Sequence, residues 1–347
     1  MKTLYLNFHN VVSGKIETDH PWPLSFFESE YQTHRVDLMP GDLPMIRLVY
    51  HLRIFPFAAA PRKGYIRHIH KGLAQWAYRV NVSDQQVEIE VYGNRFAVPM
   101  VHHMMLHPSL RYLAAQRNVL LLHAGSVTYR GKSLIFTGRG GTGKTTTTSL
   151  ILANGGPDWG LHADDYTFIA PGSQSFSYQT RSHLYRDLLN WVPEFFSRLT
   201  PMERLQLEFY GKLRVWSGSR ILWPVRLPFH RLWPDRTLQT QAKPAAVILL
   251  ARTPAPKPLL TSVAADQSLV NELIEMNFWE ARHFLALLEK SSSVDSGWVD
   301  AWRAKERELL MDRLDEIPIY RLELPQQSTP FETFREDLLE ILRQLTA

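Results

Sequence analysis

The sequence predicts an α/β chain with a β-rich N-terminal lobe and C-terminal helices, and three observations carry that expectation. The apolar run Ser133-Leu134-Ile135-Phe136-Thr137 feeds into Gly138-Arg139-Gly140-Gly141-Thr142-Gly143-Lys144-Thr145, with a helical stretch behind it. Residues 76–82 and 87–92 alternate apolar and polar side chains about the turn Ser83-Asp84-Gln85-Gln86, which is a hairpin pattern. Late in the chain, Ala245-Ala246-Val247-Ile248-Leu249-Leu250 and Ile317-Pro318-Ile319-Tyr320-Arg321-Leu322-Glu323-Leu324 read as strands between helical stretches.

At 347 residues the chain is long enough for two lobes, since domains usually run to about 100–200 residues. The expected boundary lies near residue 115: a lobe over 1–115 for recognition of substrate or partner, then a catalytic domain over 116–347 with helical insertions. With 45% hydrophobic and 21% charged residues the composition is globular. No stretch approaches the roughly 20 consecutive apolar residues of a membrane helix, so no membrane partner is expected. Met1-Lys2-Thr3-Leu4-Tyr5-Leu6-Asn7-Phe8-His9 turns polar too early for a signal peptide, which makes the cytoplasm the expected location. The absence of cysteine excludes disulfides, thiolate metal sites and a cysteine nucleophile. A net charge of +5 without a long basic run implies no nucleic-acid partner.

Along the chain, a Pro-rich stretch over 55–61 precedes the hairpin. Met100, Met104, Leu106, Leu110 and Leu113 recur at helical intervals, so residues 99–116 read as a helix despite Pro108. The strand Asn118-Val119-Leu120-Leu121-Leu122-His123 follows, then Ala124-Gly125-Ser126-Val127-Thr128-Tyr129, the turn Arg130-Gly131-Lys132 and the strand before the glycines. The helix behind them spans about 144–154, and Gly155-Gly156 can end it in a left-handed cap. Residues 181–216 carry Leu, Phe, Tyr and Trp at helix-like spacing, which reads as core packing rather than an aromatic ligand face. Residues 266–290 form a helix in this reading and Ser291-Ser292-Ser293 a loop. The last helix opens with Thr329-Pro330-Phe331-Glu332, a capping box, and carries the stripe Phe331, Phe334, Leu338, Ile341, Leu342, Leu345.

The glycine segment fits the P-loop pattern: two glycines four residues apart, then Lys and a hydroxyl residue. A phosphate chain gives up strong hydration when bound, so many donors must replace water at once. Glycines let backbone N–H groups turn inward without side-chain clashes, and a helix N-terminus adds its own amides and positive end. Gly138, Arg139, Gly140, Gly141, Thr142, Gly143, Lys144, Thr145 and Thr146 are therefore the candidate nucleotide cradle. Lys144 reaches the β- and γ-phosphates in this scheme, and the Thr145 hydroxyl holds Mg²⁺. The competing reading is a glycine turn that binds nothing.

Phosphoryl transfer also needs a carboxylate for the metal and a group to prepare the nucleophile. Asp164-Asp165 lies about twenty residues beyond Lys144, the distance one helix and a return strand consume. On extended backbone the two side chains point to opposite sides, so one is free to support Mg²⁺ and the other to accept a proton. The competing reading is an acidic pair that caps a turn. His123 ends the strand before the glycine-loop strand, and if those strands are neighbours it lies near the phosphates, stabilising the transferred group or orienting the nucleophile. His68 with His70, and His103 with His107, have metal-like spacing but no evident third ligand. Arg226, Arg231 and Arg236 are candidates for a charge-neutralising arginine, with surface pairing as the alternative.

Leu122-His123-Ala124-Gly125-Ser126-Val127, the loop from Gly138 to Thr145, and Ala163-Asp164-Asp165 together resemble the HPr kinase/phosphorylase-related family, whose P-loop core is similar to that of phosphoenolpyruvate carboxykinase. The sharp part of the resemblance covers residues 118–169. It implies a P-loop kinase core of that type, ATP with Mg²⁺, and phosphorylation of a serine hydroxyl. By motif position it assigns phosphate and Mg²⁺ to Lys144 and Thr145, and the base to Asp165. Asp164 takes the metal or its water network, and His123 faces the transferred phosphoryl group. The chain departs from authentic HPr kinases in Thr145-Thr146-Thr147-Thr148 and in Thr240-Gln241-Ala242-Lys243-Pro244-Ala245-Ala246, where they carry an acidic pair and a glycine-arginine-asparagine motif. Relatives with the simpler pattern include kinases of precursor peptides. Relatives often oligomerise, which implies a homo-oligomer, although the sequence carries no coiled-coil repeat.

The expectation is thus an ATP-dependent kinase moving the γ-phosphate to a hydroxyl of a peptide, protein or small molecule, serine first. A nucleotide-sensing module and an NTP hydrolase are the alternatives. Thr145 and the Asp164-Asp165 pair argue against the sensor, and the hydrolase reading lacks a Leu-Ser-Gly-Gly-Gln or Asn-Lys-X-Asp signature.

Overall fold

The computed structural model describes residues 1–54, 63–218, 221, 223–255, 257–291, 294–295, 297–325 and 331–345, without the side chains of 331–334. The Pro-rich stretch, Ser292-Ser293 and the Thr329-Pro330 cap lie outside the described residues, as do the side chains of Phe331 and Phe334.

In chain order the elements begin β1 (Lys2–Phe8), β2 (Val12–Thr18), α1 (Pro21–Glu30), β3 (Arg35–Val36), β4 (Met45–Leu52), β5 (Ile66–His70), β6 (Ala74–Val82) and β7 (Gln86–Gly93). There follow α2 (Ala97–Val101), a π-helical turn (His102–Leu106), α3 (His107–Gln116), β8 (Leu120–Tyr129), β9 (Lys132–Thr137) and α4 (Lys144–Asn154). Next are β10 (Trp159–Ala163), β11 (Tyr166–Ala170), β12 (Gln174–Tyr178), β13 (Ser182–Leu184), two 3₁₀ turns (Arg186–Asn190 and Pro193–Arg198) and α5 (Pro201–Trp216). The chain continues through β14 (Val225–Leu227), α6 (Phe229–Leu232), β15 (Gln241–Thr253), β16 (Leu259–Ser262), α7 (Gln267–Ser291), α8 (Trp298–Asp315), β17 (Ile319–Pro325) and α9 (Phe331–Gln344). The fold is mixed α/β.

Two compact units emerge. The first joins Met1–Leu121 and Ile169–Pro171 to Asp266–Arg313. Its sheet runs β3-β1-β2-β4-β7-β6-β5, and the expected hairpin is its β6/β7 pair. Period-2 alternation buries Leu4, Leu6, Phe8, Ile46, Leu48, Val87 and Ile89 on one face. On the other, Glu17 pairs with Lys15 and Arg47, and Arg47 reaches Glu88. Helical structure runs unbroken from Ala97 to Gln116, and Pro108 falls where the π-turn passes into α3. The π-turn aligns residues five apart, so His107 meets His102, Nε2 to Nε2 at 3.1 Å, rather than standing over His103 alone.

The division of the chain corrects the linear boundary near 115: residues 266–313 belong to the first unit, not to a domain over 116–347. Arg111 of α3 is one of the links. Its guanidinium is buried, pairs with Glu306 of α8, donates to the Asn277 carbonyl of α7, and lies 4.7 Å from the Phe278 ring centroid and 4.9 Å from that of Trp302. Helix α8 was not expected from sequence, because its charged residues mask the spacing of Trp298, Trp302, Leu309 and Leu310.

The second unit comprises Leu122–Phe168, Gly172–Ala265 and Leu314–Ala347. Its sheet follows β10-β8-β11-β12-β15-β17-β16, with β9 pairing to both β8 and β15. Strands β9, β15 and β17 are parallel, while β8 and β16 run antiparallel to their neighbours. The run at 245–250 is the buried centre of a longer strand that takes in Pro244 at a register shift. Helix α4 ends as predicted at Asn154, but Gly155 is still helical and Gly156, at φ +91°, takes the left-handed position. Residues 181–216 form β13, the 3₁₀ turns and α5, which opens with an unforeseen capping box, Thr200 to Glu203.

The Arg111 cluster predicts that Glu306→Ala lowers the unfolding free energy by about 3–5 kcal/mol, since it strands a buried cation. The double variant Arg111→Met/Glu306→Leu should recover more than half of that loss in urea denaturation. Equal losses in both variants would contradict an electrostatic origin.

Candidate functional site

Strand register sets the site. Ala124 of β8 pairs with Thr137, the last residue of β9, so His123 stands level with Gly138, the first residue of the loop. The Thr137 hydroxyl donates to the His123 carbonyl at 3.1 Å, and the His123 ring packs edge-on against Tyr166. The two strands are the neighbours that the placement of His123 required.

Three of the loop's glycines take positive φ, and at two of them a Cβ would also meet a neighbour. Gly138 has φ +152°, and a Cβ there would sit 2.8 Å from the Thr142 hydroxyl and 2.9 Å from the Leu250 carbonyl of β15. Gly143, at φ +110°, is the residue before α4, where a Cβ would lie 3.1 Å from an Arg252 guanidinium nitrogen. Thr142 closes the turn by donating its N–H and its hydroxyl to the Arg139 carbonyl. Lys144 opens α4, and its Nζ donates to the Gly138 carbonyl at 2.6 Å and the Arg139 carbonyl at 3.4 Å. The ammonium is thereby held over the loop. The first intrahelical bond runs from Thr147 N–H to the Gly143 carbonyl, so the amides of Lys144, Thr145 and Thr146 form the first turn, whose N–H groups have no intrahelical acceptor.

Asp164 and Asp165 form the bend between β10 and β11. The Asp165 carbonyl accepts from Ala124 N–H at 3.0 Å, tying the bend to β8. Gly125 makes this approach sterically feasible, since a Cβ there would lie 3.1 Å from the Asp164 carbonyl and 3.2 Å from the Thr148 methyl. The pair lies in a bend rather than on the extended backbone expected for it, and both carboxylates approach β13. Asp164 is buried and accepts from the His183 backbone N–H and the Ser182 hydroxyl. Burial, then the charge of Asp165, pushes its pKa up to about 7, against the pull of those two donors. The Asp165 carboxylate is 27% exposed, 3.6 Å from His183 Nδ1.

Ser182 and His183 come from β13, which pairs only with β14 and places Arg226 directly opposite His183. Tyr185, whose hydroxyl pKa is pushed up to about 12 by burial and next by Asp165, also feels the Arg226 charge. Of the three arginines, Arg231 is paired with Glu203, and Arg236 donates to the carbonyls of Leu152 and Gly156. Arg226 is the one that faces His183 across the ribbon, and its charge reaches Tyr185. Arg252, at the end of β15, is a further cation beside Gly143; it donates to the Pro325 carbonyl, and burial holds its guanidinium below the ordinary arginine range.

Thr145, Thr148, Ser149, Asp164, Ser182 and His183 form the polar wall of one cleft, backed by Leu152, Phe195 and Trp233. Its cavity is about 10 Å³, room for one water or small ion. The structure therefore brings Lys144, Thr145, Asp164, Asp165 and His123 into one neighbourhood and adds Ser182, His183, Arg226 and Arg252. Ser182 and His183 had no sequence signal, because a separate two-stranded ribbon delivers them. Among the described residues no group of three or more His, Asp or Glu is arranged to hold a metal ion, and no helix there is long and apolar enough to cross a membrane.

No protein-family model matches the chain, and a search of curated proteins returned no match.

Asp164 gives a pH-dependent stability. Below about pH 4 both folded and unfolded states hold its proton; between there and about pH 7 only the folded state does, so stability from this group falls as pH rises, and above pH 7 the full cost of burying the charge remains. In metal-free buffer Asp164→Asn should match the parent near pH 4 and exceed it by about 2–4 kcal/mol at pH 8. A difference that is the same at both pH values in urea denaturation would refute the raised pKa.

Proposed function

We propose that the chain is an ATP-dependent phosphotransferase that moves the γ-phosphate to a hydroxyl group, with a serine of a peptide or protein as the favoured acceptor. The observation that carries this reading is that Thr145, at the start of the glycine-loop helix, and the buried Asp164 wall the same cleft, with Asp165 and Arg226 beside it. A glycine turn that bound nothing would have no use for a buried carboxyl group next to it.

In this reading the loop is a P-loop, and its amides with those of Lys144, Thr145 and Thr146 receive the phosphate oxygens. The residues present suit Mg²⁺, which is commonly held by one or two carboxylates and substrate phosphates rather than by an all-protein cage. Thr145 and Asp164 would hold it, and the ion supplies neutralisation of phosphate charge. The accepting hydroxyl oxygen attacks the γ-phosphorus, the bond from that phosphorus to the bridging oxygen breaks, and ADP leaves. Asp165 takes the hydroxyl proton, with His183 Nδ1 beside it to orient the carboxylate. Lys144 exchanges its loop carbonyls for β- and γ-phosphate oxygens. Arg226 and His123 are placed for the charge on the transferred group.

Transfer from γ-labelled ATP to peptides, HPr-like proteins and small hydroxyl compounds tests the proposal, with Lys144→Ala as control. A labelled acceptor that disappears in the control supports it, and free inorganic phosphate as the sole product favours hydrolysis. Asp165→Asn should lower turnover about 10²- to 10⁴-fold while changing nucleotide affinity by no more than about threefold. Undiminished turnover in that variant would remove Asp165 as the base.

A further inference from the structure

Helix α5 leaves its apolar side open. Within it only Leu207 is buried, whereas Met202, Leu205, Phe209 and Trp216 are 63%, 65%, 57% and 85% exposed. They fall at i, i+3, i+7 and i+14, one stripe along the helix, and the missing i+10 position is the exposed Lys212. The four side chains expose roughly 500 Å² of apolar surface, the size at which a patch on a monomer marks an interaction site.

The charge around this helix has one sign. Residues 181–231 contain nine Lys and Arg against four Asp and Glu, a surplus of five that equals the net charge of the entire chain. Three of those four acids are already paired: Glu203 with Arg231, Glu208 with Arg186, and Asp187 with Arg214. The stretch therefore keeps a positive surplus, with Lys212 exposed on α5. The same helix packs on β14, which carries Arg226, and on the 3₁₀ turn at Arg186, whose side-chain stem lies against Gly211.

We propose that the α5 stripe docks an acidic, amphipathic helical segment of the polypeptide that bears the accepting hydroxyl. Its apolar side chains pack on Leu205, Phe209 and Trp216, and its carboxylates meet Lys212 and Arg204. A cation within an apolar stripe fits an acidic partner best, since only a carboxylate compensates the ammonium as water leaves. Charge complementarity of this kind also steers encounter. The docking itself stands apart from the phosphotransfer reading; only the occupant's role as acceptor rests on it.

The test is fluorescence anisotropy without nucleotide, using a labelled peptide of about 16 residues with leucines at i, i+3 and i+7 and glutamates on both flanks, against the same peptide with lysines for glutamates. The acidic peptide should bind about tenfold tighter or better than the basic one, and should weaken about tenfold with Leu205→Ser/Phe209→Ser and with Lys212→Glu. These residues are exposed, so circular dichroism should show an unchanged fold. Equal binding of the two peptides, or unaltered binding by the variants, overturns the proposal. It is also overturned if sedimentation shows a dimer that the Leu205→Ser/Phe209→Ser variant abolishes, because a second copy then covers the stripe. Binding to phosphatidylserine vesicles that the same variant loses overturns it likewise. Failure of ATP-dependent labelling with peptide binding intact would instead count against the phosphotransfer reading alone.

Discussion

Burying the Asp164 carboxyl group is the constraint from which the arrangement of the second unit follows. A carboxyl held 6% exposed, next to a second carboxylate, needs donors that water no longer provides. Strand β13 supplies them through Ser182 and the His183 amide. A lone strand of three residues is not stable, so β13 requires β14, and β14 sets Arg226 opposite His183 and gives α5 a surface to pack on. The ribbon that satisfies this acid also belongs to the core of the sheet: Leu184, Val225 and Leu227, with Leu207 of α5, are buried in the same apolar cluster as Phe136 and Ile248.

A second constraint operates on the other side of the cleft. The glycine loop passes so close to the Leu250 carbonyl that Gly138 has no space for a side chain, and Gly143 is held to glycine by its φ of +110°. The loop is thereby fixed against the ends of parallel strands, where the register of β9 on β15 leaves no slack. Lys144 donates to two loop carbonyls, which holds a long flexible side chain in one region and lowers the entropy cost of re-aiming it.

The residues legible in sequence were those whose neighbours in space are also neighbours in the chain. The order strand, glycines, helix and return strand is local, so the positions of Lys144, Thr145 and the Asp164-Asp165 bend followed from it. His123 needed one assumption, that its strand adjoins β9, and the pairing of Ala124 with Thr137 supplies it. His183 stands eighteen positions beyond Asp165 and reaches it only through a ribbon closed by residues 225–227, a pairing with no periodicity to reveal it. Arg226 was one of three indistinguishable arginines until Arg231 and Arg236 were occupied by Glu203 and by helix-end carbonyls. The return of residues 266–313 to the first unit was equally hidden, because its links are long-range: Arg111 meets a carboxylate 195 positions away and the Tyr78 hydroxyl a carbonyl 209 positions away.

Chemistry that reads phosphates through backbone amides cannot by itself choose what receives them. Amide donors recognise charge and shape common to all nucleotides, and a carboxylate that removes a proton acts on any hydroxyl brought to it. Selection must then be placed where side chains vary freely, outside the loop and the acidic bend but mechanically continuous with them. Helix α5 meets that condition: its inner side is fixed by Arg186–Glu208 and Arg231–Glu203, and its outer side carries apolar groups and cations that contribute nothing to the core. Exposing Phe209 and Trp216 to water is unfavourable unless something covers them part of the time. On the proposed reading the glycine loop and acidic bend would handle phosphate and α5 would select the acceptor, with the short β13–β14 ribbon touching both the bend and the helix.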